Sequence, residues 1–403
     1  MDRAALSRAV RRRRGGRGHG RIPQQTHPWV GAGHRGEPMT EILNSLSAMT
    51  PQWLESALAE AGHSPPPVTA VEVRPMDDFL GAMGEVVIVS VSYADDTDLP
   101  DEFVAKCPQD NEFARQNAAV MLSYQRENGF YDHLAAQVAA RTNISIPKCF
   151  VNLFDPETHA ATLVIERIHP ASKGDILDGT TFERMRTLVG DLAGMHGAYW
   201  MDETLNTQDW LIDWTAPSLL AGIPRTQESW RNMREQYPQY HSDELAAMAD
   251  VFLADVPGWL GRFAQRPWTL IHQDYELDNV LFRDDGPVIV DWQSPMRSFP
   301  GMDLGWLLMA SHNEETLSSE PDLLDHYRRE LAAAGGPQWS TEDLAEDLAW
   351  AAFFWVSVSH VPYMETVQFG EEFRFHRRFK AMLEGTIAAA ERWNAAERMK
   401  AHI

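Results

Sequence analysis

The chain reads as an α+β protein in two parts, a small unit of five antiparallel strands followed by a larger helical unit. Three observations predict this. Between about 68 and 168, short runs rich in β-branched residues alternate with turn clusters, and one helical stretch interrupts them. From about 170 onward, apolar residues recur at helical spacing. Within that helical half a single hairpin stands out: Val280-Leu281-Phe282 and Val288-Ile289-Val290 flank the turn cluster Asp284-Asp285-Gly286-Pro287. No internal repeat is visible.

The elements follow in order. Thr50 caps a helix whose first position is Pro51, and Ser64-Pro65-Pro66-Pro67 ends it. Strands are expected at Val68 to Arg74, Val86 to Tyr93, Glu102 to Lys106, Cys149 to Phe154 and Ala161 to Ile165, with a helix at 112–128 between the third and fourth. The helical half begins with Phe182 to Trp200. At least one helix lies within Ser229 to Phe263, and others near 321–334, 341–359 and 371–396 follow the hairpin. Most of the 14 Trp lie here and belong to the core by spacing. Residues 39–168 are thus read as an N-terminal lobe with a leading helix, and residues 169–403 as a helical C-terminal lobe.

Composition narrows the function classes. With 44% hydrophobic and 23% charged residues the chain is an ordinary soluble globular protein. It has no run of 18 apolar residues, so no membrane span is expected. Cys107 and Cys149 are the only cysteines, which gives no disulfide framework and fits a cytoplasmic location. The net charge is −23, but residues 1–38 carry nine Arg against two acids, so the remaining 365 residues carry −30. An acidic body of that size argues against nucleic acid as a partner. Residues 1–38 read as a disordered basic arm, a transit segment without a clear amphipathic stripe, or a stretch before the true start at Met39. The preferred reading is that they stand outside the folded part of the chain.

The chemistry concentrates in Ile271-His272-Gln273-Asp274-Tyr275-Glu276-Leu277-Asp278-Asn279 and in Asp291-Trp292 beyond the hairpin. Folding the chain about the turn brings Asn279 and Asp291 to its open end, roughly 5–8 Å apart at Cβ. Two oxygen-bearing side chains on rigid strands suit a hard cation such as Mg2+. Asp274 lies on the preceding loop. Asp-x4-Asn followed by Asp is the pattern of a phosphoryl-transfer site: one carboxylate orients the attacking hydroxyl, while Asn and Asp hold the metal that neutralises the phosphates. His272 is read as holding the loop rather than as a ligand.

The small unit offers the remaining parts. Gly81 and Gly84, between the first two strands, would let the backbone approach phosphates closely. Lys106 ends an apolar strand, where a lysine needs a partner. Glu127 falls on the same helical face as Phe113, Val120, Met121 and Tyr124, where a carboxylate needs a cation. Paired, they would aim the Lys106 ammonium at the α- and β-phosphates of ATP. Leu163-Val164-Ile165-Glu166-Arg167-Ile168 would then be the hinge, with backbone groups near Glu166 and Ile168 binding the adenine edge.

These strings resemble the aminoglycoside phosphotransferase-like kinases, most closely their ecdysteroid-kinase-like members and related bacterial small-molecule phosphotransferases. The resemblance rests on His272 to Asn279, Val290-Asp291-Trp292-Gln293, the helix motif Leu192-Ala193-Gly194-Met195-His196-Gly197-Ala198-Tyr199-Trp200, and Arg297 with Asp303-Leu304. It covers about residues 68–385. It implies a two-lobed protein-kinase-like fold that uses ATP and Mg2+ to phosphorylate a hydroxyl of a small molecule: a metabolite, a steroid-like alcohol or an aminoglycoside-like compound. Carried over by position, Asp274 is the catalytic carboxylate, Asn279 and Asp291 are metal ligands, Lys106 and Glu127 anchor phosphate, and Asp303 is a brace. Gln273 stands where the family usually has Gly, and the glycine loop is sparse. The alternative is a non-catalytic nucleotide-binding pseudokinase acting through partners. A metallohydrolase built on His272 and Asp274 would need further His ligands, and none is evident. Trp306, Trp350, Phe354, Trp355 and Tyr363 are expected near the acceptor.

Overall fold

The computed structural model describes residues 40–76, 84–108, 122–311 and 313–403. The readings made for residues 1–38, for Asp78 to Met83 including Gly81, and for the first part of the 112–128 helix lie outside them. Ten strands are named here. In the small lobe, β1 (Val68–Pro75), β2 (Gly84–Tyr93), β3 (Glu102–Pro108), β4 (Cys149–Phe154) and β5 (Ala161–Glu166) form one sheet in the order β1-β2-β3-β5-β4. Every neighbouring pair is antiparallel. The other strands are β6 (Ser172–Lys173), β7 (Thr269–Ile271), β8 (Val280–Arg283), β9 (Gly286–Ile289) and β10 (Met296–Ser298).

The two-residue period of the strands decides which side chain faces the site. On β3, Phe103, Ala105 and Cys107 are buried against a core built from Val87, Val89, Val91 and the leading segment with Leu43, Leu46, Leu54 and Leu58. Val104, on the opposite face, joins Phe130 and Ile165 in the larger core. Lys106 shares that face by alternation. The pairing Val104↔Ile165 and Lys106↔Leu163 fixes it there, and a slip of one residue would turn the lysine to the outer side.

The leading helix Pro51–Glu60 starts as expected: Thr50 Oγ1 accepts from Trp53 N at 3.1 Å. Among the described residues the helix after β3 spans Ser123–His133, five residues beyond the expected end. It continues because Phe130 and Tyr131 carry its apolar face into the larger core.

The expected helices of the helical lobe are present with sharper boundaries, and Gly301–Ala310 and His360–Thr366 are helices that the sequence reading did not place. Ser229 to Phe263 resolves into parts of three helices, Ile223–Gln236, Asp243–Ala254 and Val256–Phe263. The hairpin is tighter than expected. Gly286 and Pro287 belong to β9 opposite Arg283 and Phe282, which leaves Asp284-Asp285 as the turn. Gly286 has φ +137°, a conformation that favours glycine. Pairing continues past the strands, with Val290 N donating to Asn279 O at 3.0 Å. β7 pairs with β10, and β8 lies between β6 and β9.

Trp292 joins the lobes. It is fully buried, stacks on Phe130 with centroids 4.0 Å apart, lies edge-on to His272 at 4.5 Å, and donates through Nε1 to Ile289 O at 3.1 Å. Trp292→Ala is therefore expected to destabilise the fold by roughly 3–5 kcal/mol in chemical denaturation. A loss below about 1 kcal/mol, the size of a surface change, would show that the stack does not join the lobes.

Candidate active site

The Lys106 ammonium donates to Glu127 Oε1 at 2.6 Å and to Asp291 Oδ1 at 3.0 Å. Burial works against its charge, but Asp291 and then Glu127 outweigh burial and hold its pKa above the usual lysine range. Strand β3, the Ser123–His133 helix and the segment after β9 thus meet at one nitrogen. The helix is held there a second time by the neighbouring residue. Arg126 is almost fully buried; its Nε donates to Pro295 O at 3.0 Å, and its Nη2 donates to Ser294 O and, at 3.1 Å, to Gln273 Oε1. Burial pushes the Arg126 guanidinium down to about 9.

The loop between β7 and β8 holds the second half of the site. Asn279 Nδ2 donates to Asp274 Oδ2 at 3.0 Å and to Asp274 O at 2.8 Å. Trp306 Nε1 donates to Asp274 Oδ1 at 3.2 Å. Burial pushes the Asp274 carboxyl upward, the positive charge of Arg378 opposes this most strongly, and nearby Asp291 adds to the rise. The backbone bond from Val290 to Asn279 ties the two halves together.

The loop is braced from several sides. Asp303 accepts from His272 N at 2.7 Å and from Gln273 N at 2.6 Å. His272 Nε2 lies 3.1 Å from Val290 O, and its Nδ1 accepts from Asp274 N at 3.3 Å. Burial lowers the His272 pKa, as suits a ring that holds the loop in its neutral form. Arg378, on the helix Arg374–Arg392, binds Glu276 Oε1 and, at 3.1 Å, Asp278 Oδ2. Burial pushes the Glu276 carboxyl up to about 8, although Arg378 opposes it. Gln273 (φ +67°) and Asp291 (φ +64°) are both left-handed. Backbone strain of this kind persists only where the surroundings over-determine it.

The remaining expected residues are more scattered. Gly84 sits in β2 opposite Pro108 rather than in a loop. A Cβ there would lie 3.1 Å from Cys107 O and 3.4 Å from the Tyr124 hydroxyl, so its small size serves close packing. Gly81 lies outside the described residues. Glu166 ends β5; its N–H donates to Lys148 O at 2.7 Å, and its Oε2 accepts from Lys148 N at 3.1 Å. Both Glu166 and Ile168 are half-buried. Of the expected acceptor aromatics, Trp306 touches Asp274 and stacks on Trp355 with centroids 4.0 Å apart. Trp350 is core, packed against Trp259 and Phe263, and Tyr363 packs against Tyr237 and His376. Sequence reasoning missed Arg126 and Arg378. The only signal for the second was Arg374-x3-Arg378 on one helical face, with partners about a hundred residues away.

A family model described as the phosphotransferase enzyme family matches residues 112–346. No curated protein matches the chain by sequence. Among solved structures, the choline kinase from Cryptosporidium parvum Iowa II aligns with a TM-score of 0.52 at 10% identity, over 82% of this chain and 92% of that one. The macrolide 2'-phosphotransferase from Brachybacterium faecium gives 0.43 at 14% identity, over 83% and 98%. A choline/ethanolamine kinase family protein from Mesorhizobium loti gives 0.43 at 16%, over 86% and 99%. At these identities the likeness speaks to the fold, and the choline kinase carries it. It agrees with the two-lobed, protein-kinase-like architecture expected from the sequence. No helix among the described residues is long and apolar enough to cross a membrane. The family match spans more than half of the chain and contains Glu127, Asp274, Asn279 and Asp291: the chain belongs to the phosphotransferase enzyme family and is a small-molecule kinase.

Proposed function

We propose that this protein transfers the γ-phosphoryl group of ATP, with Mg2+, to a hydroxyl of a small molecule. The observation that carries the reading is the Lys106 ammonium, bound at once to Glu127 and Asp291 beside the Asp274–Asn279 pair. Phosphoryl transfer needs positioning and charge stabilisation more than covalent help from the protein, and these residues supply both.

Each residue has a role. Lys106, oriented by Glu127, binds the α- and β-phosphates. The main chain at Glu166 and Ile168 meets the adenine edge. Asp274 orients the acceptor hydroxyl and takes its proton as the hydroxyl oxygen attacks the γ-phosphorus. The bond from that phosphorus to the bridging oxygen breaks, and ADP leaves with the electron pair. Asn279 and Asp291 would hold Mg2+, which when bound neutralises the phosphate charge. The donor set fits the ion. Asn279 commits its Nδ2 to Asp274, so its Oδ1, a hard donor, remains for a cation. No group of three or more His, Cys, Asp or Glu side chains among the described residues could hold a metal ion. Mg2+ is usually held by one or two carboxylates together with substrate phosphates. With nucleotide and Mg2+ bound, Lys106 would face the phosphates and Asp291 would be one of the groups that hold the ion.

The acceptor is a small hydroxylated compound that approaches Asp274 from the side of Trp306 and Trp355. The aromatic surroundings support an apolar alcohol over a polycationic sugar. Location in the cytoplasm agrees with two cysteines that form no disulfide.

Three outcomes test the reading. ATP with Mg2+ should raise the melting temperature and EDTA should cancel the rise; no shift at millimolar nucleotide would contradict it. Asp274→Ala should keep nucleotide binding while turnover, measured as ADP release with a panel of alcohols, falls by about 10²–10⁴-fold. Unchanged turnover would remove Asp274 from the chemistry. Asp291→Ala should weaken Mg-dependent nucleotide binding by about 10- to 100-fold, the worth of a bond to a charged group. An unchanged affinity in calorimetry would show that the metal binds elsewhere.

A further inference from the structure

We infer that Trp306 is a positioning residue for Asp274, an inference that rests on the phosphotransfer reading above. Asp274 has one donor on each carboxylate oxygen: the Trp306 indole on Oδ1 at 3.2 Å and the Asn279 amide on Oδ2 at 3.0 Å. Two donors on opposite oxygens fix the plane of the carboxylate, which a single bond does not. An indole N–H only donates, so Trp306 neither competes for the acceptor's proton nor offers another base.

The indole is itself held in place. Trp306 is 5% exposed and stacks on Trp355 with an interplanar angle of 24°. Trp355 Nε1 donates to Met302 O at 3.3 Å, on the helix Gly301–Ala310 that carries Trp306. That helix also carries Asp303, which accepts the main-chain N–H groups of His272 and Gln273. Residues 303 and 306 are three apart and so share a helical face. One helix face therefore grips the catalytic loop twice, by its backbone through Asp303 and by its carboxylate through Trp306. Displacing a reacting group by about 1 Å can lower turnover by two orders of magnitude, so a carboxylate free to rotate is a poor base even in the right pocket.

The test is Trp306→Phe, which keeps an aromatic ring against Trp355 and removes the N–H. With Mg·ATP and whichever alcohol of the panel gives ADP release, or water if none does, kcat should fall roughly 10- to 100-fold, the worth of one hydrogen bond to a charged group. KM for ATP and the nucleotide-induced thermal shift should stay at wild-type values. Trp355→Leu keeps the indole N–H but removes the stack that aims it, and should give a smaller fall in kcat with the same unchanged KM. It serves as the test if the first variant does not fold. Wild-type kcat in either folded variant overturns the inference, as does a fall in kcat matched by an equal loss of nucleotide binding. A wild-type protein with neither turnover nor a thermal shift would remove the phosphotransfer reading and this inference together. Normal turnover in the wild type and in Trp306→Phe would remove the inference alone.

Discussion

One ammonium group holds the site together. Lys106 binds a carboxylate 21 residues further along the chain and another 185 residues further along, and both bonds lie in a largely buried pocket. Leaving any one of these charges buried without its partners would cost about 3–5 kcal/mol. The sheet register that puts Lys106 inside, the helix that presents Glu127 and the strained turn that presents Asp291 therefore succeed or fail together. Two negative charges around one positive charge also leave a net negative pocket beside Asp274. Under the proposed function such a pocket would take a cation, whose charge would let phosphates bind beside it.

The helical lobe makes the other half of the site rigid. Asp303 and Arg378 grip the loop between β7 and β8 from two directions, and His272, within that loop, ties it to Val290 beyond β9. Arg126 plays the matching part on the small-lobe side: residue 126 holds the segment after Asp291 while residue 127 holds Lys106. Consecutive residues on one helix thus set the spacing between the lobes. Lys106 and Glu127 stand on a strand and a helix, while Asp274, on a loop, is held in place by the bonds from Asn279 and Trp306.

Much of this was legible in the sequence because its signals are local. Alternation along β3 puts Lys106 on one face, helical spacing puts Glu127 on a buried face, and a short hairpin brings the end of the catalytic loop close to Asp291. Each requires counting only a few residues. What was not legible is long-range. Nothing in Arg374-x3-Arg378 announces Glu276 and Asp278 as partners, and nothing in Trp306 announces the Asp274 oxygen. Trp350, Trp306 and Trp355 look alike as helical aromatics, yet the first is core while the second touches the candidate base. Gly84, expected in the turn before the second strand, is that strand's first residue, and its missing Cβ makes room for Cys107 and Tyr124. The turn at Asp284-Asp285 was placed correctly but too wide, because Gly286 and Pro287 can sit in a strand when the neighbouring turn is tight.

The most direct measurement is a crystal structure of the protein with a non-hydrolysable ATP analogue and Mn2+, the metal located by its anomalous signal. The account predicts manganese bound by Asn279 Oδ1 and the Asp291 carboxylate, with the Lys106 ammonium moved from Asp291 onto the phosphates while keeping Glu127. Nucleotide bound away from these residues, or Lys106 still on Asp291 with no metal beside it, would contradict it.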